Sequence, residues 1–98
     1  MAYRYRFAEP CKDDLDELAK HEHRLMVRLV YTAIPRILHD PQTVGDRKTG
    51  NLRNCYGFTI SASGAAYRLL YVIEADVVVF FALGRHDVVY KNAAKRIP

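Results

Sequence analysis

The chain has 98 residues, half of them hydrophobic and 27% charged, with a formal net charge of +4 at pH 7. This length predicts a single domain with one core, covering residues 1–98, and the composition excludes a disordered chain. The longest apolar run has seven residues and the basic start lacks an apolar centre, so we expect a cytoplasmic protein without a membrane partner.

The first predicted element is a strand. Tyr3, Tyr5 and Phe7 alternate with Arg4 and Arg6, a period of two that is typical of a strand with one aromatic and one cationic face. We interpret it as an edge strand with solvated arginines. If its cationic face is shared with other basic residues, Arg4 and Arg6 are candidate contacts to a polyanion.

Two helical patterns follow. Pro10, with Asp13 and Asp14 after it, is typical of a helix start. A second, wide apolar stripe of helical period runs from Leu25 to Leu38 and is suited to lying on a sheet. Pro35 lacks a backbone donor, so we expect it to kink the second helix or to tighten its last turn.

The cysteines and the first two histidines have no metal-binding spacing. Cys11 and Cys55 lack a CxxC pattern, so we interpret them as buried reduced thiols. His21 and His23 are two apart and would point in different directions on a helix. The sequence therefore predicts neither a metal site nor a cofactor.

A polar segment, Asp40–Asn54, has no apolar period and several turn formers, which predicts one long loop. Long loops in compact domains are usually functional or mobile. Arg47, Lys48 and Arg53 make this segment basic, so they are further candidate contacts to a polyanion.

Three strand patterns follow the loop: Tyr56–Ser61, Tyr67–Glu74 and Val77–Leu83. Alternation in the first two places Arg68 on the same face as Gly57 and Thr59, away from the helices. Val77–Leu83 is apolar throughout, which predicts a strand buried on both faces with the first strand as one neighbour. We expect the Arg68 face to remain uncovered.

After Gly84, the tail combines basic, aromatic and titratable side chains. Arg85 and His86 precede a predicted short helix, Asp87–Arg96. Arginine donates bidentate hydrogen bonds to phosphate, and histidine titrates close to neutral pH. A tyrosine on such a helix has two possible roles, proton transfer and stacking on a base.

These residues resemble a known family. The stretches YRLLYVI and VVVFFALGRHDVVYKNAAKRI resemble the carboxyl-terminal half of the RelE/ParE family of bacterial toxins, with weaker similarity through NCYGFTISASG to the opening MAYRYRF. The resemblance implies an α+β fold of order β-α-α-β-β-β-α. It has an antiparallel sheet, two long helices on one face that bend near Lys20–His23, and a short carboxyl-terminal helix.

The resemblance also implies an activity. RelE-type toxins enter the ribosomal A site and cut mRNA there, the ribose 2′-hydroxyl attacking the adjacent phosphate to leave a 2′,3′-cyclic end. The catalytic candidates implied are Arg68, Arg85, His86 and Tyr90. The candidate contacts to RNA or the ribosome are Arg4, Arg6, Arg47, Lys48, Arg53, Lys91 and Lys95. The implied partners are a cognate antitoxin, the 70S ribosome and mRNA, without a metal or cofactor.

One departure from the family leaves alternatives open. The basic positions of the first meander strand of RelE correspond to Gly57 and Thr59, which carry no charge. Other cations could supply the charge, His86 could act as histidines do in the related YoeB and HigB toxins, or cleavage could be lost. The alternative function is that of a ParE-like toxin, which inhibits DNA gyrase by contact without nuclease chemistry.

Overall fold

The computed structural model of the chain describes residues 3–48, 52 and 54–96. Within these residues five strands form one sheet in the order β1-β5-β4-β3-β2. The strands are β1 (Arg4–Phe7), β2 (Asp46–Arg47), β3 (Tyr56–Ala62), β4 (Ala65–Glu74) and β5 (Val77–Arg85). The helices are α1 (Glu9–Ala19), α2 (His23–Arg28), a π-helical segment (Leu29–Ala33), α3 (Ile34–His39), α4 (Pro41–Val44) and α5 (His86–Arg96).

The sheet confirms the α+β class and the predicted meander of β3, β4 and β5. β5 lies between β4 and β1, as its continuous apolar run predicts. β1 runs parallel to β5, with Arg4 beside Val77 and Phe7 beside Phe80. The sheet is therefore mixed at this edge, because the chain crosses through the helices between these two strands.

The turn between β3 and β4 has two residues, Ser63 and Gly64, with φ angles of 52° and 77°. Positive φ at both positions is the geometry whose twist matches that of the two strands it connects. This turn fixes Thr59 opposite Arg68 in the hairpin. The pairing of Thr59 with Arg68 is thus set by the two turn residues at the end of the hairpin.

The long helices pack on one face of the sheet. The chain bends between α1 and α2, as expected, and buried Leu25, Leu29 and Ile37 pack in one core with Leu69 and Tyr71. The irregularity expected at Pro35 lies in the preceding turn, where the π-helical segment Leu29–Ala33 widens the helix instead of tightening it.

The prediction of one long loop over Asp40–Asn54 was wrong. This segment contains α4 and β2, and β2 pairs with the start of β3. The hydroxyl of Tyr71 donates to the carbonyl oxygen of Pro41 at 2.6 Å, and the amide of Lys48 donates to the carbonyl oxygen of Cys55 at 2.9 Å. Elements of four and two residues are too short to show an apolar period, so the sequence pattern gave no signal for them.

The second face of the sheet is covered more than the sequence predicts. Val89 and Ala93 of α5 are buried against Leu70, Val79 and Phe81 in a second core. The sequence predicts that this whole face is uncovered. The part that remains uncovered is instead restricted to β2, β3 and the start of β4. Arg68 lies at this boundary between the covered and uncovered parts.

Cys11 and Cys55 are both buried free thiols, which confirms the prediction for them. Burial raises the pKa of the Cys11 thiol to about 12, with a smaller contribution from the nearby Asp14 carboxylate. None of the described helices has the length and apolarity needed to cross a membrane.

Candidate functional site: a buried arginine between strand and tail helix

The candidate site is built around Arg68, which lies in β4 opposite Thr59 of β3 and Gly84 of β5. Its exposed fraction is 9%, although arginine is almost never fully buried unless it is paired. The side chain is therefore held by specific neighbours, and these come from three different elements.

Arg68 is held by hydrogen bonds to two hydroxyl groups and by one carboxylate. Its Nε donates to the hydroxyl oxygen of Tyr90 at 3.3 Å, and a terminal nitrogen donates to Oγ1 of Thr59. The same nitrogen lies 3.5 Å from Oδ2 of Asp46, whose side chain is 76% exposed. The guanidinium thus connects β2, β3 and α5, while the Asp46 side of this group of residues still faces solvent.

Gly57 gives the guanidinium its space. A Cβ at this position would lie 3.1 Å from Cζ of Arg68 and 2.9 Å from Cε of Lys48. Carbon atoms in proteins pack at larger separations, so a side chain at position 57 would displace one or both cations. The missing side chain on β3 therefore lets Lys48 reach across the strand towards Arg68.

Two further titratable groups, those of Lys48 and His86, lie beside the Tyr90 ring. Nζ of Lys48 lies 5.3 Å from the centroid of the Tyr90 ring, within the range of a cation–π contact. The ring of His86, at the start of α5, has its centroid 4.7 Å from that of Tyr90. One turn of helix separates His86 from Tyr90, which places both side chains on the same face of α5.

We call Arg68, Lys48, Tyr90 and His86 the cationic cluster. It unites three of the four catalytic residues predicted from the sequence with one predicted RNA contact. Its chemical capacity follows from its members: two cations to hold a phosphate, and a phenol and an imidazole to move protons. No group of three or more His, Cys, Asp or Glu side chains that could hold a metal ion occurs among the described residues.

Arg85, the fourth predicted catalytic residue, lies outside the cationic cluster. It pairs with Tyr67 in the sheet, and its guanidinium carbon lies 5.9 Å from the Tyr67 ring on the face covered by the long helices. There it lines an open pocket of about 380 Å³ between α1 and α5. Arg68 and Arg85 are thus directed to opposite faces.

Arg4 and Arg6 also lie away from the cluster. Arg4 binds Asp76 at 3.1 Å and Arg6 lies 3.6 Å from Glu74, at the end of β4. The Arg4 guanidinium lowers the pKa of the Asp76 carboxyl. Glu74 is six positions after Arg68, a separation of roughly 20 Å along a strand. Both arginines have acidic partners of their own.

The other predicted RNA contacts are dispersed. Arg47 lies with its guanidinium carbon 6.0 Å from the Tyr56 ring, next to Lys48 in the chain. Lys91 and Lys95 are exposed on α5. Arg53 lies outside the described residues. Of these predicted RNA contacts, the one that the structure brings into the cationic cluster is Lys48, directly after β2.

Two contacts of Arg68, those with Asp46 and with the Thr59 hydroxyl, were not predicted from the sequence. Asp46 belongs to a two-residue strand, for which no pattern exists. Alternation predicts the face on which Thr59 lies, but not the hydrogen bond that its hydroxyl accepts from Arg68. A further pair, Asp14 and Arg96, fastens the end of α5: their side chains approach to 2.7 Å, and Asp14 also accepts from the Leu83 amide at 3.0 Å.

Comparison with known families gives a match over most of the chain. The family model described as the ParE-like toxin of type II bacterial toxin–antitoxin systems matches residues 11–94. No curated protein sequence matches the chain.

Several solved structures share the fold over nearly the full length. A double mutant of the Escherichia coli toxin RelE in the free state is 27% identical to this chain, with a TM-score of 0.74. The match covers 100% of both chains. A RelBE toxin–antitoxin complex from Mycobacterium tuberculosis is 25% identical with a TM-score of 0.69, and covers 88% of this chain and 100% of that chain. The same E. coli mutant in complex with an antitoxin RelB peptide is 25% identical with a TM-score of 0.64, and covers 100% of both chains.

Proposed function

Because this chain belongs to the RelE/ParE family of toxins of type II toxin–antitoxin systems, we propose that it is a ribosome-dependent endoribonuclease that cuts mRNA. The observation that carries this proposal is the contact between Arg68 and Tyr90 within the cationic cluster. A protein that inhibits its target by contact alone has no need to bring a guanidinium, an ammonium, a phenol and an imidazole together.

In the proposed reaction the ribose 2′-hydroxyl attacks the adjacent phosphorus, and the bond from phosphorus to the 5′-oxygen breaks. Negative charge grows on the phosphoryl oxygens in the transition state. Arg68 and Lys48 would stabilise that charge, because a fixed guanidinium donates bidentate hydrogen bonds and an ammonium adds a point charge.

Lys48 supplies the charge that Gly57 and Thr59 lack. Its backbone is fixed by the bond to the carbonyl of Cys55, and its stem passes over Gly57 towards the Tyr90 ring. A cation that reaches the site from the segment before β3 then replaces one carried on β3 itself. The departure from the family at these two positions is compatible with cleavage on this basis.

Tyr90 and His86 are the proposed proton-transfer groups. Arg68 orients the hydroxyl of Tyr90 through a hydrogen bond, and this hydroxyl would take part in removing the proton of the 2′-hydroxyl. His86 is exposed beside the Tyr90 ring and would donate a proton to the leaving 5′-oxygen.

We also infer an antitoxin partner. Solved relatives include toxin–antitoxin complexes, and the net charge of +4 favours an acidic partner segment. The proposed targets, the ribosome and mRNA, are polyanions that the same charge would attract.

The test is a translation reaction with a defined mRNA, with and without ribosomes, in which 5′ ends are mapped by primer extension. We expect new ends only when ribosomes are present. Arg68→Ala and Arg68→Lys should both abolish them, because lysine keeps the charge but loses the planar fork. Arg4→Ala is the matched control, since it removes an arginine that is paired with Asp76 in the turn after β4.

The competing function, gyrase inhibition of the ParE type, is favoured by the absence of charge at Gly57 and Thr59. It predicts that DNA synthesis stops first on induction, with an SOS response, and that Arg68→Ala stays toxic. Intact mRNA in the presence of ribosomes, combined with that order of arrest, would replace the nuclease proposal by this one.

A further inference from the structure

The pocket that Arg85 lines, between α1 and α5, takes no part in the proposed reaction. Its volume is about 380 Å³, and its walls come from the end of α1, the turn after it, the sheet and the first turns of α5. Cavities of this size, mostly apolar with a few polar groups, are typical of sites for small molecules. We call this cavity the α1–α5 pocket.

The lining of the α1–α5 pocket is mostly apolar. Tyr67 and Leu83, from the sheet, are buried with exposed fractions of 2% and 3%, and Leu18 packs against the same core. Val88, from α5, lines the pocket but is 52% exposed. Removing an exposed valine from water is favourable, so the pocket favours a ligand with an apolar part.

Two groups of opposite charge line the α1–α5 pocket without an ionic partner. The guanidinium of Arg85 contacts the Tyr67 ring, and Glu22 lies between α1 and α2. Among the described residues, neither Arg85 nor Glu22 forms an ion pair, with each other or with a third side chain. Both charges are therefore available to a ligand.

The other carboxylates of the pocket already have cationic neighbours. Asp14 binds Arg96 at 2.7 Å. Glu17 lies 3.5 Å from Nζ of Lys20 and 3.8 Å from Nε2 of His21. The charges that remain for a ligand are thus one positive and one negative, beside an apolar lining. A free α-amino acid carries the complementary groups: a carboxylate, an ammonium and a side chain on one carbon atom.

We propose that the α1–α5 pocket binds a free α-amino acid with an apolar side chain. Its carboxylate accepts two hydrogen bonds from Arg85, because a guanidinium donates in a planar fork, and its ammonium donates to Glu22. Its side chain lies against Leu83 and Val88. This site goes beyond the proposed function and does not depend on it.

Other classes of ligand satisfy only part of this arrangement. An acid without an amine brings negative charge towards Glu22, and an amine without an acid leaves Arg85 unpaired. An internal peptide segment carries neither charge on its backbone, because both groups are consumed in peptide bonds. A free amino acid matches the two charges and the apolar lining together.

The test is a titration of the isotope-labelled full chain with L-leucine, followed by amide NMR. We expect a Kd of about 1 mM or tighter, with shifts at the amides of Glu22, Arg85 and Val88. L-leucinamide lacks the carboxylate and N-acetyl-L-leucine lacks the ammonium, so each should bind at least about tenfold more weakly. No binding of L-leucine up to about 10 mM, shifts confined to other residues, or equal binding of the three compounds would overturn the proposal.

Substitutions assign each charge to its partner. Arg85→Gln should weaken binding of L-leucine at least about tenfold and leave the weaker binding of L-leucinamide unchanged, since that compound has no carboxylate. Glu22→Gln should weaken L-leucine in the same way and leave N-acetyl-L-leucine unchanged. The unchanged compound also shows that the pocket of each variant is folded. Arg24→Gln and Glu9→Gln are the matched controls, because both residues are exposed and neither lines the pocket. A variant that weakens the three compounds equally would reject the contact assigned to it.

A bound amino acid should also hold the tail helix in place. Val88 and Asn92 line the pocket from α5, so the ligand contacts α5 and the sheet at once. Saturating L-leucine should therefore slow hydrogen exchange of the α5 amides, those of Val89 and Ala93 among them. Unchanged exchange in α5 would place the bound amino acid outside this pocket and overturn the proposal. Binding of L-leucine without any mRNA cleavage would sustain this inference and reject the proposed function, and cleavage without such binding would do the reverse.

Discussion

The hydroxyl oxygen of Tyr90 accepts a hydrogen bond from Nε of Arg68 at 3.3 Å, so a residue of the tail helix is fixed directly by the central strand. The bond orients the phenol and places positive charge beside its oxygen. It also occupies Nε of the guanidinium. In the proposed reaction, a substrate phosphate would therefore approach Arg68 through its terminal nitrogens.

Tyr90→Phe should separate proton transfer from stacking. The variant loses the hydroxyl but keeps the ring between Lys48 and His86. We expect cleavage of ribosome-bound mRNA to slow by about 100-fold or more, with ribosome affinity nearly unchanged. Single-turnover cleavage is the measurement, and Tyr31→Phe, on an exposed ring remote from the site, is the control. A Phe variant that cleaves at a near-normal rate would limit Tyr90 to stacking or packing.

Gly57→Ala should displace the cations without unfolding the protein. The added methyl would meet Cζ of Arg68 and Cε of Lys48, which belong to side chains that can move. We expect cleavage to fall by at least about tenfold and the free energy of unfolding by about 1 kcal/mol. Gly84→Ala is the matched control, because the nearest atoms to its Cβ lie at 3.9 Å. Equal losses in the two variants would contradict this explanation of Gly57.

Asp46→Asn should strengthen binding of the substrate phosphate. The Asp46 carboxylate lies 3.5 Å from Arg68 and competes for the same nitrogen. Because this carboxylate is largely exposed, the gain should be small, at most about fivefold in affinity for ribosome-bound mRNA at low salt, and it should shrink as salt is added. Asp16→Asn changes the charge equally on an exposed position of α1 and should have no such effect. Weaker binding by the Asp46 variant would show instead that the carboxylate positions Arg68.

Arg96→Ala should loosen the tail helix. Arg96 binds Asp14 at 2.7 Å and donates to the carbonyl oxygen of Phe81 at 3.1 Å, and the hydrogen bond to Asp14 raises its pKa. Within the described part of the chain, the loss of Arg96 leaves the partly buried Asp14 carboxylate with only the Leu83 amide as a hydrogen-bond partner, at a cost of about 2 kcal/mol in the free energy of unfolding. Denaturant unfolding measures this, with Lys95→Ala as the stability control. Cleavage should fall as well, because α5 carries Tyr90 and His86.

The stability of the fold should fall in alkali through Cys11. Its folded pKa of about 12 lies above the reference value of 9.0, chiefly because the thiol is buried. The neutral thiol therefore contributes stability that is fully present below pH 9 and is lost as the pH rises towards 12. Between pH 8 and pH 10 the wild type should lose about 1.4 kcal/mol more than Cys11→Ala. Identical pH profiles for the two proteins would show that the thiol does not titrate on unfolding.

The sequence predicts the strands and long helices well because their periods are set by burial. The alternation of β4, for example, separates buried Leu69 from Arg68 on opposite faces. The sequence does not predict the pairing of Arg68 with Asp46, because a two-residue strand leaves no pattern. Nor does the sequence predict that Arg85 and Arg68 lie on opposite faces of the sheet. That outcome depends on the register of β5 with β4 and on the irregularity between Leu70 and Tyr71.

The ion pair between Asp14 and Arg96 also affects the order in which the toxin can fold during its synthesis. These residues are 82 positions apart, and the helix that carries Tyr90 is held at its far end by this pair. During synthesis Arg68 is translated well before Tyr90 and Arg96, so the nascent chain first exists with its central arginine exposed and its tail missing. The contacts that assemble the site are among the last to become possible. Tyr90 and His86 therefore cannot reach Arg68 until translation has passed residue 96 and the tail has folded.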